Sequence, residues 1–209
     1  MKFKTALSVA MLLSLPLFAS AATHMCVQGT LASYIALGAS GCTVANATFA
    51  NFSLAPATTT GIPASKIIVT PPMPIVPSPS LAFSAPWQAA AAGSQQSTIK
   101  YTVSFSPPLG SSPANGIQKL VLGTAKVSGI IGAAEVDETI TEGTLSALLS
   151  VYEKCDDACT IKSSEQITLL PVTTLQITDA VTITGGNAGA SLSGFTVYFD
   201  DCSMCAEPQ

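Results

Sequence analysis

The chain has 209 residues, 10% of them charged and 48% hydrophobic, and it contains no arginine. Eight lysines against twelve acids give a formal charge of −4, which excludes the clustered Lys and Arg that a nucleic-acid partner requires. The abundance of apolar and β-branched residues excludes a disordered chain.

Met1-Lys2-Phe3-Lys4 opens the chain with two positive charges, and an apolar run from Ala6 to Phe18 follows. That run is shorter than the roughly 20 residues a bilayer-spanning helix needs. Ala19-Ser20-Ala21-Ala22 then supplies the small residues of a cleavage site. Together these features predict a secretory signal peptide over residues 1–21, cut after Ala21 or Ala22. Residues 22–209 are left as a single domain. No cysteine stands at the cut, so no lipid or membrane anchor is expected in the mature chain. The expected location is the extracellular medium or the periplasm.

Export implies an oxidising compartment, and the chain carries six cysteines: Cys26, Cys42, Cys155, Cys159, Cys202 and Cys205. Disulfides are therefore the default. A Cys26–Cys42 bridge is favoured, with the other four pairing near one another. Between Cys26 and Cys42, Gly29 to Gly38 reads as one short helix. Thr30 can cap it, Leu31, Tyr34 and Ile35 share a face, and Gly38 can end it. Phe49–Leu54 follows as the first strand. Residues 55–79 hold seven of the fourteen prolines and read as an extended loop, with Lys66–Val69 as a short strand inside it.

Alternation becomes clear from residue 97. Ile99, Tyr101, Val103 and Phe105 point one way and Lys100, Thr102 and Ser104 the other, the signature of a half-buried strand. Pro107-Pro108 is expected to break it. Further strands are predicted at 117–127, 133–142, 145–153, 165–170, 174–184 and 191–200, separated by turn signals at Gly143, Asp156-Asp157 and Gly185-Gly186-Asn187. Strands with regular turns and no long helix predict an all-β, single antiparallel β-sandwich, Ig-like or jelly-roll-like, with one short N-terminal helix.

Motifs that carry chemistry are few. The one histidine, His24, lies too near the mature terminus to serve a catalytic triad. If the mature chain begins Ala22-Thr23-His24, its amine, two amides and imidazole would form a square-planar set suited to Cu(II) or Ni(II). Cys155-x-x-x-Cys159 and Cys202-x-x-Cys205 could offer four thiolates to zinc, but an oxidising compartment favours disulfides. Ser97-Thr98-Ile99-Lys100 matches an S-x-x-K pattern whose mechanism needs one helical turn. On a strand it places the two side chains on opposite faces. The acids Glu135, Asp137, Glu138 and Glu142, like Asp156-Asp157 and Asp200-Asp201, lack a calcium-loop pattern and read as a solvated edge. Trp87 and Tyr101 are the ring candidates for a ligand platform, set against core packing. No cofactor is expected.

Several segments resemble a known group. Cys26-x-x-x-Thr30-Leu31-x-x-Tyr34-Ile35-x-Leu37-Gly38, Gly41-Cys42-Thr43-Val44 and Phe49-x-Asn51-Phe52-Ser53 resemble the mature N-terminus of exported bacterial proteins of the PEP-CTERM sorting-domain type. Leu81-x-Phe83-Ser84-Ala85-Pro86-Trp87 and Asp179-x-Val181-x-Ile183-x-Gly185-Gly186 are similar to their later blocks. The resemblance implies a surface or extracellular protein associated with exopolysaccharide and biofilm. The end of this chain, Cys205-Ala206-Glu207-Pro208-Gln209, departs from that type in having no apolar span, and release is expected instead of sorting. The resulting expectation is a non-enzymatic secreted protein with a structural, matrix or adhesive role, whose partners are extracellular polysaccharide or other matrix proteins. The alternatives are a carbohydrate- or other ligand-binding β-sandwich module and a metal-binding exported protein.

Overall fold

The structure is a computed structural model and describes residues 24–55, 61–72, 78–110 and 116–201. The expected signal peptide, Cys202 and Cys205 lie outside the described residues. Fourteen strands among the described residues form two antiparallel sheets of seven. Sheet A contains β2 (Cys42–Val44), β3 (Ala47–Ala55), β6 (Ser94–Leu109), β9 (Ile131–Glu142), β10 (Leu145–Asp156), β11 (Ala158–Lys162) and β13 (Val172–Thr184). Their order is β2-β3-β6-β13-β9-β10-β11. Sheet B contains β1 (Gly29–Thr30), β4 (Ile68–Thr70), β5 (Ser80–Ala89), β7 (Gly116–Leu122), β8 (Ala125–Val127), β12 (Ser164–Leu169) and β14 (Ala190–Asp201). Its order is β1-β4-β5-β14-β7-β12, with β8 also on β14.

The sandwich follows from alternation. On β6, Ser97, Ile99, Tyr101, Val103 and Phe105 are buried. On β14, Phe195, Val197 and Phe199 are buried in turn. These inner faces meet in one core that holds Trp87, Phe49, Phe83, Phe195 and Phe199 out of solvent. Packing of this kind stabilises by roughly 1.5–3 kcal/mol for each large apolar side chain. The predicted helix is α1 (Leu31–Ala36), shorter than Gly29–Gly38. Thr30 caps it, with its side-chain oxygen accepting from the Ser33 N–H at 3.2 Å. Leu31 and Tyr34 form its buried side.

Three expectations are corrected. Pro107-Pro108 does not end β6, which runs on to Leu109. The prolines fall where the register with β13 shifts, between the pairs Ser104↔Thr174 and Leu109↔Val172, so no regular ladder N–H is demanded of them. Residues 117–127 are two strands, because Gly123 comes against the backbone of Gly194 and its N–H donates to the Gly194 carbonyl at 2.7 Å. Residues 80–89, given no strand in the sequence reading, form β5. Its Pro86 sits beside the register shift between Leu192 and Gly194, on the solvent side. The short strand of the proline-rich segment is Ile68–Thr70, preceded by a 3-10 turn at Ala64–Lys66.

Gly194 has a tight role. A Cβ there would lie 2.4 Å from the Phe83 carbonyl oxygen, and one on Gly123 would lie 2.4 Å from the Gly194 carbonyl oxygen. Gly194→Ala is expected to lower unfolding free energy by about 2 kcal/mol or more. Gly143→Ala, in open space with φ +56°, should cost only about 1 kcal/mol, the strain of a left-handed residue. Urea denaturation of the two variants checks the difference.

Candidate functional site

Cys26–Cys42 and Cys155–Cys159 are disulfides. The second closes a hairpin: Cys155 and Cys159 are partners across β10 and β11, with Cα atoms 4.0 Å apart and Asp157 at φ +64° in the turn. Two of the four thiolates considered for zinc are thereby consumed. His24 is exposed, and its backbone carbonyl accepts the Thr43 N–H at 2.8 Å. The copper set also needs residues 22 and 23, which lie outside the described residues. His24 borders a cleft of about 400 Å³ with Met25, Val27, Tyr34 and Leu37. The hydroxyls there are already engaged: Tyr34 donates to the Val27 carbonyl at 2.8 Å and Ser33 to the Thr30 carbonyl at 2.6 Å.

Trp87 and Tyr101 both lie in the core. The Trp87 indole N–H donates to the Ser97 hydroxyl at 3.2 Å, linking β5 of sheet B to β6 of sheet A. The Tyr101 ring stacks on Phe52 at 5.2 Å and tilts against Phe83 at 5.7 Å. Neither ring presents a face to solvent, so a stacking platform for a ligand is not built from them. Ser97 is buried while Lys100 is exposed on the opposite face, as the strand reading of S-x-x-K requires.

The acids divide in a way that alternation along β9 dictates. Glu135 and Asp137 face outward and are half-buried, whereas Glu138 is fully buried. The expectation of a solvated edge is corrected for Glu138. Its cross-strand partner on β13 is Asp179, equally buried. Gln118 of β7, in the facing sheet, donates its amide N–H to Glu138 Oε1 at 2.6 Å. Tyr101, on β6 two residue pairs further along opposite Ile177, completes the group. Among the described residues, Tyr101 Oη, Gln118 Oε1, Glu138 Oε2 and both Asp179 carboxyl oxygens are buried without a hydrogen-bond partner.

Burial, followed by the charge of Asp179, pushes the Glu138 carboxyl well above the ordinary carboxylate range. Burial also raises Asp179 to about 7, with the neighbouring Glu138 and Tyr101 groups pulling the other way. Tyr101 is raised well above its ordinary value, first by burial and then by the two acids. The physical cause is shared. Two carboxylates offer only acceptors, and a low-dielectric core tolerates neither an unpaired charge nor a pair of like charges. A carboxyl proton supplies the missing donor. The signal in the sequence was present, since Glu138 and Asp179 both fall on the apolar phase of their strands.

The outer face of sheet A has another character. Four cross-strand rows run Thr102-Gln176-Thr141-Ser146, Lys100-Thr178-Thr139-Leu148, Thr98-Ala180-Asp137-Ser150 and Gln96-Thr182-Glu135-Tyr152. Hydroxyls and amides dominate, and the charges balance. Lys154 pairs with Glu135, which also accepts from the Ser150 hydroxyl at 3.3 Å. The Lys154 ammonium sits 4.6 Å from the Tyr152 ring centre.

No protein-family model and no curated protein sequence matches this chain. Among solved structures, the chain is similar to TmCBM61 in complex with β-1,4-galactotriose at 13% identity and TM-score 0.34, over 72% of this chain and 88% of that one. The family 11 carbohydrate-binding module from Clostridium thermocellum, in complex with a β-1,3-1,4-mixed-linked tetrasaccharide, matches at 7% identity and TM-score 0.22, over 74% and 89%. The CBM22-1-GH10 modules of Clostridium thermocellum xylanase 10B match at 10% identity and TM-score 0.26, over 89% of this chain and 30% of theirs.

Ser97→Ala is expected to strand the Trp87 indole N–H in the core and to cost about 1–3 kcal/mol. A double-mutant cycle with Trp87→Phe, followed by circular dichroism in urea, should show the two losses to be non-additive.

Proposed function

We propose that this is an exported, non-catalytic domain that binds neutral polysaccharide in an extracellular matrix, through the outer face of sheet A. The observation that carries this reading is the set of four aligned rows on β6, β13, β9 and β10. Sugars are recognised by hydroxyl, amide and carboxylate side chains that exchange hydrogen bonds with ring hydroxyls. This face offers such groups at the regular spacing of a sheet, with the strands about 4.8 Å apart. Its lysines are matched by carboxylates, which favours an uncharged ligand over an acidic one.

Two further features support the reading. The acids suited to general acid or base work, Glu138 and Asp179, are sealed from solvent and from any substrate. The two disulfides suit an oxidising compartment, which the signal-like residues 1–21 would reach. Membership of the PEP-CTERM type of exported protein, drawn from the sequence motifs, belongs to the same proposal. So does a matrix role.

Gln176 and Asp137 stand in the first and third rows of the face, either side of the Thr178-Thr139 row, and Gln176 is exposed. The double variant Gln176→Ala, Asp137→Ala should bind at least about tenfold more weakly, the scale of one or two lost hydrogen bonds. Affinity electrophoresis in gels containing xylan, galactan or mixed-linked β-glucan measures it. Retardation by one of these that the variant loses supports the proposal. Equal mobility of both proteins in every gel leaves a purely structural matrix protein as the better reading.

A further inference from the structure

Glu138 and Asp179 raise a question of charge that the surrounding core does not answer. They face each other across β9 and β13, both fully buried. The lysines adjoining the group in sequence, Lys100 of β6 and Lys119 of β7, lie on the outward phase of their strands. Glu135 and Asp137 of β9 are also outward. Phe52 of β3 and Phe83 of β5 lie against Tyr101, and on β10 the cross-strand partner of Glu138 is Leu149. Tyr101, Glu138 and Asp179 are therefore the only titratable groups facing the pair from these elements among the described residues.

Gln118 gives this arrangement a mechanical meaning. Its side chain crosses from β7 of sheet B to donate a hydrogen bond to Glu138 of sheet A, a bond that by itself favours the carboxylate and is outweighed by burial and by Asp179. With one or two protons on the pair, carboxyl O–H groups fill the acceptor-only gap. With two protons the chain Gln118, Glu138, Asp179, Tyr101 closes as a neutral bridge across the interior, and with one it carries a single negative charge. With both protons gone, two like charges face each other in a dry core. Their repulsion and the cost of keeping them from water act directly on the seam between the sheets.

We propose that Gln118, Glu138, Asp179 and Tyr101 form a proton-operated latch between the two sheets, closed while the acid pair is protonated and opened when both carboxyls ionise. A carboxyl held protonated in the fold but free to ionise in the unfolded chain stabilises the fold fully below the ordinary carboxyl pKa. That contribution is lost as pH rises towards the folded value. The latch therefore makes the sandwich firmest in mild acid and weakest in alkali.

The experiment is denaturant unfolding of the full mature protein, disulfides intact, from pH 5 to pH 9. The unfolding equilibrium constant of the wild type is expected to rise about tenfold per pH unit for each proton held, until the pair has ionised. The double variant Glu138→Gln, Asp179→Asn should lose this slope and exceed the wild type in stability at pH 8. If it does not fold, Asp179→Asn alone should lower the slope. Amide exchange at β7 and β9 should quicken with pH beyond the intrinsic rate, ahead of β5. A flat wild-type profile overturns the proposal. So does a wild type whose stability at pH 8 is restored by millimolar calcium but not by acid, which would make the pair a cation site.

Discussion

Two seven-stranded sheets can pack face to face only if each strand turns every second residue inward, and nearly all of those residues are apolar here. The exceptions are informative. Ser97, Gln118, Glu138 and Asp179 are buried polar side chains on the inward phase. Three of them take part in side-chain hydrogen bonds that cross the core, Trp87 to Ser97 and Gln118 to Glu138. A polar group in such an interior must be paired, because leaving it unmade costs more than making it gains. The interior thus specifies which faces of the two sheets meet, at the risk of a penalty wherever pairing is incomplete. The acid pair is where that penalty concentrates.

The same strands serve two surfaces. Beneath Asp137 and Thr139 on β9 lies Glu138, and beneath Thr178 and Ala180 on β13 lies Asp179. Alternation separates them so completely that the acids nearest one another in sequence have opposite environments. Glu135 sits against Lys154 and Ser150 in partial contact with water, while Glu138 faces Asp179 and the Gln118 amide in the core. At the edge, Glu165 reaches from β12 to accept the Ser150 N–H at 2.5 Å, and the adjacent Lys162 holds its carboxyl below the ordinary range. That contact covers a backbone donor on the stretch of β10 that β11 does not pair, a common hazard of sheet edges.

Much of this was legible in the residues. The alternation of Ile99, Tyr101, Val103 and Phe105 gave the sandwich, and Cys26 and Cys42 around a capped helix gave the first bridge. What escaped was governed by long-range pairing. β5 was hidden because Pro86 argues against a strand until a bulge opposite Gly194 removes the demand for its N–H. β6 was cut short for the same reason at Pro107-Pro108. The buried acid pair escaped because a local cluster of carboxylates looks like a solvated edge, although the phase of Glu138 relative to Val136 and Ile140 already pointed inward. Tyr101 shares that inward phase, and only the long-range contacts of its ring with Phe52 and Phe83 separate a core residue from a ligand platform.

A core that keeps Glu138 and Asp179 protonated holds protons that the unfolded chain does not. This is tested most directly by counting protons released when the protein is unfolded by denaturant at pH 6 in weakly buffered solution with a pH indicator. Release of about two protons per molecule is predicted, one from each member of the pair. No release, or net uptake, would contradict the account.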